Sequence, residues 1–135
     1  NQILQMGFRD GSTAYDATKT TTYFAAQHIE DGTGGSLGYN TDQDQAQATG
    51  FLNISEALGA DNDQCTNGII TIYDPSNTTF VKHFIARMAY THQNDRMMEA
   101  YIAGYCNTTS AIDGVQFKMD SDAIDAGTFK LYGVA

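Results

Sequence analysis

The stretch Ala111-Ile-Asp-Gly-Val-Gln-Phe-Lys-Met119 alternates apolar and polar residues over its second half. Residues i and i+2 of an extended chain share a face, so this alternation predicts a half-buried β-strand. The stretch Thr128-Phe-Lys-Leu-Tyr-Gly-Val134 alternates in the same way beyond a turn at 120–127. We therefore expect two neighbouring antiparallel strands that bury one common face. The residues expected on that face are Val115, Phe117, Met119, Phe129 and Leu131.

Further strand patterns extend back to the start of the chain. Five segments are rich in alternating, β-branched or aromatic residues and are bounded by turn residues. They are Leu4–Phe8, Thr20–Gln27, Ile69–Tyr73, Thr79–Tyr90 and Met97–Tyr105. Glu30–Ser36 has the composition of a long flexible loop. Thr41–Thr49 is interpreted as an exposed edge or a single helical turn, and Phe51–Leu58 as a strand or a short helix.

Seven or eight short strands with no helical spacer predict an all-β fold. Alternating faces of this kind are best buried in an antiparallel β-sandwich or jelly roll. The length of 135 residues and the 41% of hydrophobic residues suit one domain with one core, over residues 1–135. Because Asn1 leads at once into a strand pattern, the chain is interpreted as a fragment or a processed form, whose fold is completed by upstream strands or by a neighbouring subunit.

The charge of the chain is strongly acidic. Seven basic and 16 acidic residues give a net charge of −9, which repels phosphate backbones and argues against nucleic-acid binding. No apolar run approaches the ~20 residues that a membrane span needs, and no secretory signal is present. We expect no insertion into a membrane.

Metal and catalytic motifs are weak in this sequence. Cys65 and Cys106 have no CxxC spacing, which argues against zinc and leaves free thiols or one disulfide as alternatives. Asp61-Asn-Asp63 begins like an EF-hand loop, but Thr66 and Ile72 stand where Gly and Glu are needed. A calcium site built from loop oxygens stays open as an alternative. No nucleophile or metalloprotease motif occurs, so we expect no catalytic residue, no cofactor and no enzyme activity.

Four tyrosines are the candidate ligand-facing residues. They are Tyr15, Tyr39, Tyr90 and Tyr101. Aromatic faces stack on sugar rings and nearby carboxylates accept hydrogen bonds from hydroxyl groups, so these residues could form a sugar-binding face. The other interpretation is that they are ordinary sheet and interface aromatics.

Several stretches resemble one group of phage structural proteins that is common in marine viruses. The closing residues Asp125-Ala-Gly-Thr-Phe-Lys-Leu-Tyr-Gly-Val134 are similar to the group's usual ending, SGTIKLYGI. Residues 107–119, 73–84 and 22–34 are similar to its preceding strands. The turn that usually contains Ser-Ser-Gly-Asn is Asp120-Ser-Asp-Ala123 in this chain.

This resemblance implies a protein of the virion, assembled in the host cytoplasm. Its expected roles are capsid decoration, collar, tail or fibre, and its expected partners are other virion proteins and further copies of the same chain. A reducing cytoplasm favours free thiols over a disulfide. The alternative function is a module that binds glycans on the host surface.

Overall fold

The fold is built from eight β-strands joined by turns and loops. A computed structural model describes residues 2–134 of the chain. The strands are β1 (Leu4–Arg9), β2 (Lys19–Ile29), β3 (Gly35–Tyr39), β4 (Leu52–Asn53), β5 (Thr66–Ile72), β6 (Lys82–His92), β7 (Arg96–Cys106) and β8 (Gly114–Met119). The described residues contain no helix, and the predicted all-β fold is confirmed.

The strands form two antiparallel sheets. One sheet has the order β4-β1-β8 and the other has the order β3-β2-β7-β6-β5. The ring of Phe8 on β1 lies 4.8 Å from the ring of Phe84 on β6, measured between centroids, so the two sheets pack face to face. This arrangement is consistent with the predicted β-sandwich.

Alternation along β6 shows how the sequence builds the core. Phe84 and Tyr90 are buried, as are the two residues at alternate positions between them, whereas Ile85 and Arg87 point to solvent. Strands with period-two alternation bury one face and expose the other. The core consists of such inward faces from both sheets. Its largest members are Met6, Phe8, Tyr23, Leu52, Ile54, Phe84, Tyr90 and Ile102.

A pair of buried tyrosines ties the core to a loop. The hydroxyl oxygens of Tyr23 and Tyr90 lie 3.0 Å apart, and the Tyr90 oxygen accepts a hydrogen bond of 2.9 Å from the backbone N–H of Glu56. Burial raises the pKa of Tyr90 to about 12 and raises the pKa of Tyr23 as well. Both hydroxyls therefore stay neutral and hydrogen-bonded inside the sandwich.

Two lysines are buried on either side of Cys106. Lys19 and Lys82 are both paired with Cys106 in the strand register, so the three side chains form a row across β2, β7 and β6. The Lys82 ammonium donates hydrogen bonds to three backbone carbonyls, at 3.1, 3.2 and 2.7 Å. The Lys19 ammonium donates to the Ala17 carbonyl at 3.1 Å, and burial lowers the pKa of Lys19.

The first half of the predicted C-terminal pair is confirmed. β8 pairs with β1 so that Phe117 lies opposite Met6 and Val115 lies opposite Phe8. Val115, Phe117 and Met119 therefore face the core, but they stay half-buried. The reason is that β8 lies at the edge of its sheet, where less of the opposite sheet covers them.

The prediction of a second strand in that pair, at residues 128–134, is wrong. Thr128–Val134, called the C-terminal segment below, forms no strand in the structure. Leu131 and Val134 are 91% and 94% exposed, and Phe129 is 57% exposed. Phe129 still lies against the predicted neighbour, since its ring stacks on that of Phe117 with centroids 4.7 Å apart. The side-chain contact exists without backbone pairing.

Three further segments differ from their expectation or settle an alternative. The segment expected to be a loop, Glu30–Ser36, turns at its start but runs into β3, which pairs with β2. Thr41–Thr49 contains turns and one bridge, Ala48 to Lys19, rather than a helical turn. Phe51–Leu58 contains the short strand β4, which pairs with β1.

Candidate functional site

The outward face of the five-stranded sheet carries a row of large side chains. The strand registers place Tyr39, Phe24, Tyr101, Arg87 and Ile69 side by side, one from each strand in sheet order. Residues directly opposite on neighbouring strands point to the same face and contact each other. The row therefore spans the whole width of the sheet, and we call it the outer row.

Tyr101 is held between its two neighbours in the outer row. The rings of Phe24 and Tyr101 are stacked, with centroids 4.9 Å apart and planes 5° from parallel. On the other side the Arg87 guanidinium carbon lies 5.3 Å from the Tyr101 ring centroid. Phe24 and Arg87 belong to the strands on opposite sides of β7, so both faces of the Tyr101 ring are covered.

An ion pair lies beside this stack. Arg87 donates from Nε to Oε1 of Glu99 at 2.5 Å, and a second guanidinium nitrogen contacts the same carboxylate. Hydrogen bonding with Tyr101 and Arg87 lowers the pKa of Glu99, and hydrogen bonding with Glu99 raises the pKa of Arg87. The ion pair between Arg87 and Glu99 therefore fixes the position of the Arg87 guanidinium against the Tyr101 ring.

The rest of this face mixes apolar side chains with polar ones, among which are four threonines. Its other large exposed hydrophobic side chains are Leu37, Ile85 and Met97. Leu37 is 70% exposed and Ile69, at the end of the outer row, is 76% exposed. Isolated exposed apolar residues are ordinary, whereas a group on one face is the more informative feature.

Formal charge is almost absent from the strands of this face. Across the described strands, Glu99 and Arg87 are the outward-pointing residues of this sheet that carry full charges, and they neutralise each other. The remaining titratable groups on the face include the imidazoles of His28 and His83. The chain as a whole has a net charge of −9, and Asp44 lies at one end of the outer row, where it accepts a hydrogen bond from Tyr39.

The structure separates the four candidate tyrosines. Tyr39 and Tyr101 both lie in the outer row, two strands apart. Tyr15 lies in the loop after β1, where its ring is 5.6 Å from the Arg9 guanidinium. Tyr90 points into the core and is 2% exposed, so its expected place on a ligand-facing surface is wrong.

The geometry of Tyr39 and Tyr101, the two outward-pointing tyrosines of the outer row, limits what they can bind. The Tyr39 hydroxyl donates a hydrogen bond of 2.5 Å to Asp44, and this raises the pKa of Tyr39. A sugar ring stacks on the flat face of an aromatic ring, but the faces of Tyr101 are already covered by Phe24 and Arg87. Tyr39 is therefore the one of the four candidates with a carboxylate partner and an exposed ring.

Sequence reasoning missed the three non-tyrosine members of the outer row. Phe24 lies on the same side of β2 as Thr20 and Thr22, opposite to the buried residues, so its outward direction follows from the strand pattern. Its neighbours Arg87 and Ile69 come from other strands, and only the pairing register brings them together. The pairing register between distant strands cannot be predicted from the alternation within any one of them.

A cleft opens between the free edges of the two sheets. It has a volume of about 1270 Å³ and lies between β5 on one side and β8 on the other. The half-buried side chains of Ile70, Val115 and Phe117 line it, and the C-terminal segment lies along it with Phe129 and Leu131. The sandwich is therefore incompletely filled at this side.

Metal and thiol chemistry can be described within residues 2–134. Cys65 and Cys106 are free thiols, the first exposed and the second buried. Burial raises the pKa of Cys106 to about 11. No group of three or more His, Cys, Asp or Glu side chains in this part of the chain is placed to hold a metal ion. The same residues include no helix suited to crossing a membrane.

Comparisons with known proteins return no relative. No protein-family model, no curated protein and no solved structure matches the chain.

Proposed function

We propose that this chain is a structural subunit of a phage particle that acts by assembly and not by turnover. The observation that carries the proposal is the outer row, which runs across all five strands of a sheet whose outward face is exposed and nearly uncharged. The phage assignment itself rests on the resemblance of residues 22–34, 73–84 and 107–134 to virion proteins.

The composition of the outer row suits a protein partner. Aromatic residues and arginine are enriched in protein interfaces, and charged residues are depleted at their centres. Tyr101, Phe24 and Arg87 are already stacked, so little side-chain freedom is lost when a partner covers them. Such a preorganised centre favours tight association over transient contact.

The partners that fit are further copies of this chain and other proteins of the particle. Two chains that each carry a charge of −9 repel one another at most relative orientations. Beside the stacked rings at the middle of this face, Glu99 is neutralised by Arg87, so the local repulsion is small there. A face-to-face homo-oligomer through this sheet is therefore the expected assembly, in a decoration, collar, tail or fibre position.

The test introduces one charge at two matched strand positions. Ile85→Lys places an ammonium on the outer face, where Ile85 is 51% exposed, and Gln116→Lys places one on an exposed position of β8. We expect the wild type and Gln116→Lys to sediment as oligomers and Ile85→Lys to sediment as a monomer. All three proteins should have the same circular dichroism spectrum, because both positions are exposed, and only Ile85→Lys should have a thermal midpoint that does not depend on protein concentration.

Two outcomes would overturn the proposal. Equal sedimentation of Ile85→Lys and Gln116→Lys as oligomers would move the interface away from this face. A wild-type protein that stays monomeric, and that mass spectrometry does not find in purified particles, would remove the structural role altogether.

A glycan-binding role is the second candidate. It is favoured by the exposed Tyr39 ring and its carboxylate neighbour Asp44, a pair typical of sugar contacts. Binding to host-surface glycans that is lost in Tyr39→Ala but retained in Tyr15→Ala would support it. Loss in neither variant would remove Tyr39 from consideration.

A further inference from the structure

The edge of β8 that faces away from β1 is free in the structure. Within residues 2–134 no strand pairs with it, so its backbone donors and acceptors are open to another strand. Proteins normally cover or blunt such edges, because an open edge recruits other strands and promotes aggregation. β8 also holds its inward side chains only half-buried, beside the cleft of about 1270 Å³.

The C-terminal segment has the sequence of the missing strand. Phe129 and Leu131 alternate with Thr128 and Lys130, the pattern of a strand with one apolar and one polar face. In the structure its apolar face is unused, since Leu131 is almost fully exposed. The C-terminal segment has a strand pattern but no strand partner, and the adjacent edge of β8 has no neighbour. The two are therefore suited to pair with each other.

One contact already fixes how they would align. The Phe117 and Phe129 rings lie 4.7 Å apart. The directly opposed residues Phe24 and Tyr101, on the paired strands β2 and β7, have rings 4.9 Å apart. If the segment pairs with β8, a contact this close requires Phe129 directly opposite Phe117, because diagonal neighbours lie about 7–8 Å apart.

We propose a second conformation, in which the C-terminal segment leaves the unpaired position that it has in the structure and pairs with the free edge of β8 in its own chain, antiparallel and with Phe129 opposite Phe117. In this register Leu131 lies opposite Val115, and Lys130 lies opposite Gln116 on the outward face. The sheet then has four strands instead of three, and Leu131 enters the cleft beside the half-buried side chains of β8. Pairing and burial are gained together.

The chain geometry favours this segment over any other occupant. Residues 120–127 connect it directly to β8, and a short connector gives an intramolecular strand a high effective concentration at that edge. The connector is also anchored. Asp120 exchanges hydrogen bonds with Ile3 through its backbone N–H (3.0 Å) and its carboxylate (2.8 Å), and Gln2 donates to Asp122 at 3.0 Å. These bonds extend the β1–β8 pairing by one residue and hold the start of the connector beside the residues that precede β1.

The test is a pair of cysteines placed in the predicted register. Gln116→Cys with Lys130→Cys joins exposed, outward positions that would lie directly opposite, at a Cα separation of about 5 Å, which suits a disulfide. The control is Gln116→Cys with Val134→Cys, four residues out of register, where the separation would be about 13 Å. Both are made in a Cys65→Ser background, which removes the exposed native thiol.

We expect the in-register pair to form an intramolecular disulfide at least about tenfold faster than the control pair, because pairing raises its effective concentration. Equal rates for the two pairs would overturn the proposal. A disulfide between two molecules, seen as a dimer on a non-reducing gel, would assign the edge to the C-terminal segment of a second copy and would also overturn it.

Hydrogen exchange of the wild type gives a readout that needs no substitution. The proposal predicts slowed exchange at alternate amides of the C-terminal segment, since a strand at the edge of a sheet bonds to its neighbour through every second residue. Exchange at the rate of an unstructured peptide throughout the segment would contradict it. Neither experiment depends on the outer row, so the two proposals can fail separately.

Discussion

The two buried lysines allow a sharp test of what holds the end of the five-stranded sheet. Lys19 and Lys82 are 0% and 1% exposed and flank the same residue, Cys106. They differ in their partners: three carbonyls accept from Lys82, and one accepts from Lys19. Substitution of each by methionine keeps the length of the side chain and removes the ammonium.

The expected losses follow from those partners. Lys82→Met leaves three carbonyl oxygens without their donor. Each unpaired acceptor costs about 1–3 kcal/mol when buried, but Phe80 is solvent-exposed and its carbonyl can bind water, so we expect a loss of about 2–4 kcal/mol. Lys19→Met frees one carbonyl and removes the desolvation cost of a poorly paired ammonium. Its net effect should lie within about 1 kcal/mol of zero.

The assay is urea denaturation of both variants near neutral pH, with Lys118→Met as a control. Lys118 is exposed and its ammonium lies 4.7 Å from the Phe51 ring centroid, so its removal should cost about 1 kcal/mol or less. Unchanged m-values would show that the unfolded states are comparable. A loss in Lys19→Met equal to or greater than that in Lys82→Met would refute the reasoning that the carbonyl partners decide the outcome.

Two further predictions concern buried titratable groups. Burial raises the pKa of Cys106 from 9.0 to about 11, so the unfolded state loses the thiol proton first as the pH rises. The buried neutral thiol therefore contributes about 2–3 kcal/mol to the unfolding free energy below pH 9, and this contribution is lost by about pH 11. Because the neighbouring Lys19 contributes in the opposite direction and interacts with Cys106, the comparison is made in a Lys19→Met background. There Cys106→Ala should flatten the fall in unfolding free energy over this range, and an unchanged slope would contradict the assignment. Tyr90→Phe should destabilise the protein by about 2–4 kcal/mol, because it leaves the Tyr23 hydroxyl and the Glu56 N–H without their hydrogen-bond partner. Tyr23→Phe should cost about half as much because Tyr90 keeps the Glu56 bond, and the reverse order in denaturation would count against this network.

Local alternation predicted the strands whose two faces differ most. β6 and β7 were expected close to their observed positions, because a strand with one buried and one solvated face carries its period in the sequence. The same period places Tyr90 inside, since it lies in phase with Phe84, and it places Tyr101 outside. The inward direction of Tyr90 could therefore have been predicted from its own strand.

Pairing partners could not be predicted in the same way. β3 contains Gly35 and Gly38, which are typical of loops, and it becomes a strand because β2 extends far enough to pair with it. The C-terminal segment has a clear strand pattern, yet the structure gives it a side-chain contact without a strand partner. Both cases show tertiary context deciding what local propensity leaves open.

The outer row depends on register more strongly than any other feature. A shift of one residue between β2 and β7 would turn Phe24 away from Tyr101 and place its neighbour on that face instead. The register is fixed from the opposite side of the sheet, where Tyr23 and Ile102 are paired and fully buried. The buried face thus determines which side chains meet on the exposed face, and the interactions on the exposed face follow from that register. An interaction surface built in this way keeps its geometry when one of its own residues is substituted, which is why Ile85→Lys can test assembly without disturbing the fold.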